Sequence, residues 1–422
     1  MKIFLDSIGC RLNQSEIEKM AFQFRMAGHE IVSTSENADL VVINTCAVTA
    51  AASSDSRQHI RQVAKKSKGQ TIVTGCWATM EPDVAIRMPT VQSVVENDKK
   101  DELVSIVLKN PPDESNHLMI RREPLPGLHR RTRAFIKVQD GCNNYCTYCI
   151  TRIARGKSRS MPVSEILADI TRAELGGTKE VVLSGAQLGS WGRDLNPVQH
   201  LSDLLLNIFE ASKIPRVRLS SLEPWEVDEH LLDLITHARF CHHLHLPLQS
   251  GSTNILQRMG RRINPSQYSE TIQEIRNRIP DIAITTDIMV GFPGESEEEF
   301  QQSLEFVKAQ QFSGGHVFSF SSRVGTPAAN YSDHISPDVK KNRSKIMQAL
   351  INESAQDYRN NFIGHVVQVL WEKTIVSSQG DWLMEGLSDN YLRVVAKANE
   401  DLWNEFSMVE LRSYEKKSVM EE

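Results

Sequence analysis

The first hundred residues alternate short apolar runs with amphipathic segments. KIFLDSIG, ADLVVINTC and TIVTGC are apolar runs of strand length, and apolar residues recur at helical spacing between positions 17 and 24. A polar segment at 53–66 predicts a second helix, and 82–87 predicts a third before the strand VQSVVEN. Because strands and helices alternate, the pattern predicts a doubly wound parallel sheet over residues 1–110.

A second series of alternating elements begins at AFIKVQDGC. This series predicts a partial or full α/β barrel over residues 128–357, preceded by a proline-rich and charged linker at 111–127. Residues 358–422 then change to short strands separated by Gly, Asp and Asn, which predicts a small antiparallel β-barrel. The predicted barrel strands lie at 180–184, 216–220, 242–248, 283–290 and 315–320.

Composition indicates where the protein is located and whether its cysteines bind metal or form disulfides. The chain has 422 residues, 40% of them hydrophobic and 24% charged, and no apolar run approaches the roughly 20 residues that cross a bilayer. The first residues carry an acid where a signal peptide stays apolar. We therefore expect a cytoplasmic protein with no membrane partner. In a reducing compartment, patterned cysteines indicate metal ligands or catalysis more than disulfides.

A net charge of -5 argues against a chain that coats nucleic acid over its whole surface. One local stretch is nevertheless basic, and it lies just before a group of cysteines. Its arginines could contact phosphates, or they could be an ordinary solvated face. The residues predicted to contact phosphate are Arg130, Arg131 and Arg133.

Six of the seven cysteines form two groups of three. Cys10, Cys46 and Cys76 each end a predicted strand, so a doubly wound sheet would bring them to one edge; three unrelated buried thiols are the alternative. The second group forms the motif CxxxCxxC, a spacing unlike that of a zinc ribbon. Three thiolates can hold a 4Fe-4S cluster and leave its fourth iron open. Cys241 remains, and we predict that it is simply buried.

The motif GCNNYCTYC resembles that of the radical S-adenosylmethionine enzymes. The resemblance implies a catalytic 4Fe-4S cluster on Cys142, Cys146 and Cys149, whose open iron binds S-adenosylmethionine. It also implies contacts with that cofactor from other strand ends, for which ordinary turns and strand caps are the alternative. The implied cofactor residues are Tyr148 near the adenine, Gly185, Ala186 and Gln187 at the methionine end, Ser220 and Glu223 at the ribose, and Val290 and Gly291 in the adenine pocket.

The order of the three predicted units resembles the methylthiotransferases, with a C-terminal module that resembles a TRAM domain in GLSDNYLRV. This resemblance implies a second 4Fe-4S cluster, on Cys10, Cys46 and Cys76, that carries the sulfur to be delivered. GCRLNQSEIE and INTCAVT resemble the branch that acts on N6-threonylcarbamoyladenosine at position 37 of tRNA, beside the anticodon. A reductant such as flavodoxin or ferredoxin is then an expected partner.

Three other functions stay open at this point. The substrate could be isopentenyladenosine in tRNA or a ribosomal protein, or the chain could be a non-catalytic iron-sulfur protein that binds RNA. If the substrate is threonylcarbamoyladenosine, its carboxylate needs a cation. Arginine suits a carboxylate best, and we predict that Arg11 or Arg57 supplies it.

Overall fold

The computed structural model describes residues 1–109, 121–127, 131–376, 382–415 and 418–420. Most of the predicted linker, and Arg130, lie outside the described residues. Three units follow one another along the chain, in the order that the sequence predicted. No helix among the described residues is long and apolar enough to cross a membrane, and a cytoplasmic location stays a prediction.

The N-terminal unit is a five-stranded parallel sheet with the order β2-β1-β3-β4-β5. Both faces are covered by helices. One face packs on Ile17 and Phe24, and the other packs on Ile60 and Val63. The predicted doubly wound sheet is therefore confirmed. Its strands are β1 (Lys2–Ser7), β2 (Glu30–Ile31), β3 (Leu40–Thr45), β4 (Gln70–Gly75) and β5 (Val91–Val95), and its helices are α1 (Arg11–Met26), α2 (Ala50–Lys66), α3 (Cys76–Met80), α4 (Pro82–Ala85) and α5 (Leu103–Leu108).

The central unit is an open barrel of six parallel strands. Two three-stranded sheets, β10-β9-β6 and β11-β12-β13, are joined by parallel bridges at Val217 and Ser221. A short antiparallel pair, β7 with β8, lies at its mouth. The strands are β6 (Ala134–Lys137), β7 (Gln139–Asp140), β8 (Arg159–Ser160), β9 (Glu180–Ser184), β10 (Arg216–Leu219), β11 (His243–His245), β12 (Ala283–Val290) and β13 (Gly314–Ser319).

Helices cover the outside of this barrel because each places one apolar stripe on the strands. They bury one continuous core that includes Ile170, Leu204 and Ile275. The predicted α/β barrel is thus confirmed in its partial form. The helices are α6 (Thr151–Arg155), α7 (Val163–Leu175), α8 (Leu201–Ala211), α9 (Glu229–Leu234), α10 (Thr253–Arg258), α11 (Pro265–Arg278), α12 (Glu297–Gln310) and α13 (Pro337–Asn360).

The C-terminal unit is one curved six-stranded sheet with the order β17-β14-β15-β16-β19-β18. Its strand pairs are antiparallel as predicted, except that β16 and β19 run parallel. Trp371, Met384 and Val394 form the centre of its core. The strands are β14 (Val366–Val376), β15 (Trp382–Ser388), β16 (Arg393–Ala398), β17 (Phe406–Glu410), β18 (Ser413–Glu415) and β19 (Ser418–Met420).

The turn between β15 and β16 docks against the barrel and the N-terminal unit. Tyr391 in this turn has a φ of +67°, and its ring stacks on His243 with the two centroids 4.1 Å apart. The Tyr391 hydroxyl accepts a hydrogen bond from Arg11 at 2.6 Å, while Arg218 donates to the carbonyls of Ser388 and Asp389. All three units therefore meet at one turn.

Candidate active site

Three cysteines of the barrel lie on the loop between β7 and α6. Burial raises the pKa of Cys142 to about 12 and that of Cys146 to about 11, and the neighbouring thiols contribute to both increases. Cys149 is among those neighbours in both cases. The three sulfur atoms are therefore close enough to influence one another electrostatically.

The backbone of this loop directs N–H donors at two of the thiols and so offsets part of the effect of burial. Gly141 has a φ of +70°, and a Cβ there would lie 2.0 Å from the Lys157 carbonyl oxygen, so the position needs glycine. The backbone N–H of Asn144 donates to Cys142 Sγ at 3.3 Å, and the N–H of Thr151 donates to a second thiol, Cys149 Sγ, at 3.4 Å. Such donors stabilise a thiolate, which is the form that binds iron.

The second group of cysteines lies at the carboxyl edge of the N-terminal sheet. Cys10 follows β1, Cys46 follows β3, and Cys76 begins α3 after β4. Strands β1 and β3 are neighbours at the point where the strand order reverses, which is where doubly wound sheets bind ligands. Burial raises the pKa of Cys46 to about 11, and the thiols of the other two residues raise it further. The structure thus brings these three thiols together.

The two groups lie on elements that pack against each other. Helix α3 carries Trp77 and packs against α6, so that Trp77, Ile150 and Ala154 share one apolar cluster. The side-chain amide of Asn97 donates to the Ala154 carbonyl at 2.7 Å and approaches Cys76 Sγ at 3.7 Å. Residues that follow the barrel loop are therefore in direct contact with the surroundings of the N-terminal thiols.

A buried ion network also spans this junction. Arg155 of α6 donates to Asn13 at 2.6 Å, to Glu16 at 2.8 Å and to Asp140 at 2.9 Å. Lys100 donates to the same Glu16 at 2.9 Å. Burial alone would raise the pKa of Glu16, but Arg155 and Lys100 hold it well below its usual range. The network fixes the N-terminal unit against the barrel.

The predicted methionine-binding turn lies against the barrel cysteine loop. Gln187 Oε1 accepts from the N–H of Asn143 at 2.9 Å and from Cys142 Sγ at 3.3 Å. Gly185 has no room for a side chain, since a Cβ would lie 2.8 Å from Gln139 Oε1. Ala186 is half-buried in the same turn. The turn and the loop are therefore adjacent, and the cofactor role of the turn stays a prediction.

The two residues predicted at the ribose lie deeper in the barrel. Ser220 is buried, and its hydroxyl finds no hydrogen-bond partner among the described residues. Glu223 forms an ion pair with Arg261 at 2.8 Å. Burial raises the pKa of Glu223 in spite of that pair. An unpaired hydroxyl beside a carboxylate can accept and donate to a diol, which suits the predicted role.

The predicted adenine pocket is formed by Val290, Gly291 and Tyr148. Val290 is buried, and Gly291 has a φ of +68° with its N–H donating to Glu295 at 2.7 Å. Tyr148 packs against a buried cluster that contains Phe292. Val290 and Tyr148 pack in two different apolar clusters, and a shared adenine pocket stays a prediction.

The arginines predicted to meet the substrate carboxylate already have internal partners. Arg11 donates to the hydroxyl of Tyr391, as described above. Arg57 lies over the ring of Trp77, 6.0 Å from its centroid. Their contact with a carboxylate stays a prediction, and Arg11 would have to give up an internal hydrogen bond to make it.

The basic stretch before the barrel is similarly engaged. Arg131 donates to Gln14 at 2.6 Å, and Arg133 pairs with Glu372 of the C-terminal unit at 2.5 Å. Arg130 lies outside the described residues. Phosphate binding by these three residues stays a prediction, and for Arg133 it competes with an ion pair that joins two units.

The structure also reveals site residues that sequence reasoning did not single out. Gln139, Asp140 and Arg261 each contact a cysteine loop or a predicted cofactor residue. Arg155, which the sequence placed in a basic stretch open to phosphate, instead bonds to Asp140 and Glu16. Arg155 lies in ARGKSRS, a basic run that could have been examined for burial, but a charged run normally indicates a solvated surface. Only the fold shows that this arginine is buried.

The remaining cysteine and histidines do not add a third cluster site. Cys241 is buried as predicted. His243 and His245 both approach the Thr285 hydroxyl, at 3.0 and 2.9 Å, and His245 lies 3.3 Å from Asp287. Within the described residues, no three His, Cys, Asp or Glu side chains converge as they would around one metal ion. A cubane cluster places each thiolate on a different iron, so it needs a wider arrangement than a single ion does.

Comparison with known proteins now identifies the family. The radical SAM superfamily matches residues 136–307, and the uncharacterized protein family UPF0004 matches residues 2–96. The chain is 33% identical to the threonylcarbamoyladenosine tRNA methylthiotransferase MtaB of Bacillus subtilis, over 94% of this chain and 90% of the relative. It is also 33% identical to the Thermotoga maritima MtaB, over 99% and 95%. The chain belongs to the radical SAM methylthiotransferases.

Another member of the family is similar at the same level but has a different substrate in its name. The tRNA-2-methylthio-N(6)-dimethylallyladenosine synthase of Clostridium tetani is 33% identical over 87% of this chain and 85% of the relative. Among solved structures, the methyltransferase TsrM of Kitasatospora setae aligns with a TM-score of 0.59 at 14% identity, over 78% of this chain and 77% of that one. At that identity the likeness shows the fold alone.

Membership confirms the predicted enzyme class and its cofactors, two 4Fe-4S clusters and S-adenosylmethionine. The residues present fit these groups. Each set supplies three thiols, and N–H donors point at Cys142, Cys149 and Cys76. The buried hydroxyl of Ser220 has no hydrogen-bond partner among the described residues and is available to a polar cofactor.

Proposed function

We propose that this protein replaces the C2 hydrogen of N6-threonylcarbamoyladenosine, at position 37 of tRNA, with a methylthio group. One observation carries the chemistry: two separate sets of three cysteines lie on adjoining elements of the N-terminal unit and the barrel, where α3 packs against α6. A single set would serve radical formation alone, whereas sulfur insertion needs a second centre within reach of the same substrate atom. The two MtaB relatives, each covering at least 94% of the chain, support the choice of substrate.

When bound, one S-adenosylmethionine would supply the methyl group to the sulfur of the second cluster, and another, with the barrel cluster and an electron from the reductant, would supply abstraction of the C2 hydrogen. A radical route is needed because this C–H bond is neither acidic nor electrophilic. The protein's own residues bind and orient. Gln187 fixes the barrel loop to the methionine-binding turn, Ser220 and Glu223 present polar atoms toward a ribose, and Arg155 holds the N-terminal thiols against the barrel.

Nucleoside mass spectrometry of tRNA tests the substrate. Cells that lack the gene should lose the methylthio form of threonylcarbamoyladenosine and keep the methylthio form of isopentenyladenosine. Wild-type protein should restore the methylthio form of threonylcarbamoyladenosine. A variant with alanine at Cys10, Cys46 and Cys76 should not. Cys241→Ala is the matched control, because it removes a buried thiol outside both sets and should restore the modification.

The second candidate is isopentenyladenosine in tRNA, which the Clostridium tetani relative favours. If deletion removed only the isopentenyl-derived nucleoside, this candidate would replace the first while the radical chemistry stood. Loss of a methylthio group from a ribosomal protein would exclude both. A reductant such as flavodoxin or ferredoxin is the expected electron donor in each case.

A further inference from the structure

An arginine that the sequence reasoning did not select lies near one of the N-terminal cysteines. Arg323 follows β13, and its guanidinium is close enough to Cys46 and Glu81 for both to influence it electrostatically. Its backbone carbonyl accepts from the Thr326 N–H at 3.0 Å and from the Thr326 hydroxyl at 2.8 Å. The turn is therefore fixed, and it places Arg323 beside the N-terminal thiols.

The next residues of this turn rest on the helix that follows the barrel cysteines. Gly325 has a φ of +88°, and a Cβ there would lie 3.3 Å from Ile153 Cδ1 of α6. Arg323 thus lies on a turn that neighbours both Cys46 of the N-terminal set and α6, the helix that follows the barrel cysteines. A residue at this place can contact the substrate without taking part in either cluster.

The guanidinium of Arg323 has no acceptor among the described residues. Its Nε and Nη2 atoms are shielded from solvent and form no hydrogen bond there. Arg155 differs, since its guanidinium bonds to two carboxylates. Arg261 leaves its Nε unpaired but still bonds to the Glu223 carboxylate. Shielded donors without a partner are costly, and native structures normally satisfy them. An anionic ligand would satisfy these donors.

Exposed apolar and aromatic side chains stand close in sequence to Arg323 and to a cysteine of each set. Val324 is 90% exposed and Val48 is 57% exposed, although both are apolar. Tyr145 is 68% exposed, and the guanidinium of Arg152 lies 3.8 Å from its ring centroid. Exposed aromatic rings with stacked arginines are the usual platform for bases of single-stranded nucleic acid.

We propose that Arg323 binds an anionic oxygen group of the RNA substrate, either the carboxylate of the threonylcarbamoyl substituent or a backbone phosphate beside the target nucleotide. The inference rests on the proposed function in that it takes the substrate to be RNA. The planar guanidinium matches both groups, because each offers two oxygen atoms to a pair of parallel N–H donors.

Binding of two anticodon stem-loop RNAs separates the two sources. One RNA carries threonylcarbamoyladenosine at the target position and the other carries unmodified adenosine. Each is titrated into anaerobically reconstituted protein and followed by fluorescence anisotropy. Arg323→Met should weaken binding of the modified RNA by about tenfold or more, as for loss of a charged hydrogen bond. Arg323→Lys keeps the positive charge but not the pair of parallel N–H donors. Its affinity for the modified RNA should lie between those of Arg323→Met and wild type.

The pattern of losses identifies the anion. If only the modified RNA binds more weakly, the ligand is the carboxylate. If both RNAs lose the same factor and the dependence of affinity on salt becomes shallower, the ligand is a phosphate. Arg278→Met is the matched control, because Arg278 pairs with Glu229 and Asp233 on the outer face of the barrel. It should bind both RNAs as wild type does.

Two results would overturn the inference. The first is wild-type affinity of Arg323→Met for both RNAs. The second is an altered absorption or electron paramagnetic resonance spectrum of the N-terminal cluster with unchanged RNA affinity, which would make Arg323 a counter-charge to that cluster. Iron content is measured for every variant, so that misfolding is recognised. If wild type methylthiolates the modified RNA while Arg323→Met is unaffected, only this inference fails; if wild type does not act on it, the proposed function fails.

Discussion

At the scale of single residues, the buried network around Arg155 has the largest expected effect. Its side chain is 3% exposed and bonds to Glu16 and Asp140, which lie in different units. Removing one partner of a buried ion pair leaves the others uncompensated. Arg155→Met should therefore lower the free energy of unfolding by roughly 3–5 kcal/mol.

Urea unfolding of the iron-free protein measures this directly. Arg278→Met again serves as control, since its ion pairs are on the surface and should contribute little. An Arg155→Met protein as stable as the control would show that the network contributes no net stability.

Gly9 provides a second prediction at this scale. Its φ is +96°, and a Cβ there would lie 2.5 Å from Cys46 Sγ. Gly9→Ala should displace that thiol, so reconstituted protein should lose about half of its iron, the share of one of two clusters. Gly28→Ala is the control, because Gly28 also has a positive φ but nothing lies within 4 Å of its Cβ position. Full iron content in Gly9→Ala would contradict the proposed ligand role of Cys46.

Glu180 makes the free energy of unfolding depend on pH in the acidic range. Burial alone would raise the pKa of Glu180. The charge of Arg218 outweighs that effect and lowers this pKa from its ordinary 4.5 to about 2. A carboxyl whose pKa is depressed by folding contributes its full stability above the unfolded pKa and loses it as pH falls toward the folded pKa. Between pH 4.5 and about 2, wild type should lose about 3 kcal/mol through this group.

Unfolding free energies across that pH range test the assignment. Glu180→Gln should be less stable at neutral pH, because its arginine neighbours lose their charge partner, but this portion of the acid dependence should disappear. If Glu180→Gln kept the whole wild-type slope, other carboxyls would account for it.

At the scale of elements, the hydrophobic pattern identified the strands well, but it did not predict which strands pair or where the turns dock. The segments EVVLS and AITTDIMV are strands with the predicted bounds, because buried parallel strands are continuous apolar runs. The pattern could not show that β16 and β19 pair in parallel, since pairing is decided by which strands reach the same edge. It also could not place the turn that carries Tyr391.

The candidate site divides in the same way. Cys10, Cys46 and Cys76 could be predicted to meet, because strand ends of a doubly wound sheet share one edge. Arg323 and Arg155 could not be found, since an arginine in a loop or a basic run is normally solvated and only tertiary packing shields it. Charged residues whose role depends on burial are therefore the part of the site that this sequence conceals.

At the scale of the whole molecule, two sets of cysteines predict two separable cofactor centres. The anaerobically reconstituted protein should hold about eight irons and eight sulfides. Alanine at Cys142, Cys146 and Cys149 should leave about half of them. Alanine at Cys10, Cys46 and Cys76 should leave reductive cleavage of S-adenosylmethionine intact and abolish methylthiolation.

Iron and sulfide assays, with chromatographic detection of 5'-deoxyadenosine, measure these outcomes. Cys241→Ala should match wild type in every assay. Zinc in place of iron, or loss of all iron from the barrel variant, would rule out two independent clusters.

The docking of the C-terminal unit affects how a truncation could be interpreted. Removing that unit would take Glu372 from Arg133 and four carbonyl acceptors from Arg216 and Arg218. It would also expose the ring of His243 and remove the Tyr391 hydroxyl to which Arg11, the residue after Cys10, donates. A shortened enzyme that failed would report damage to its barrel as much as lost contact with RNA. For this protein, the part played by the last unit has to be measured by changing its outer face one side chain at a time.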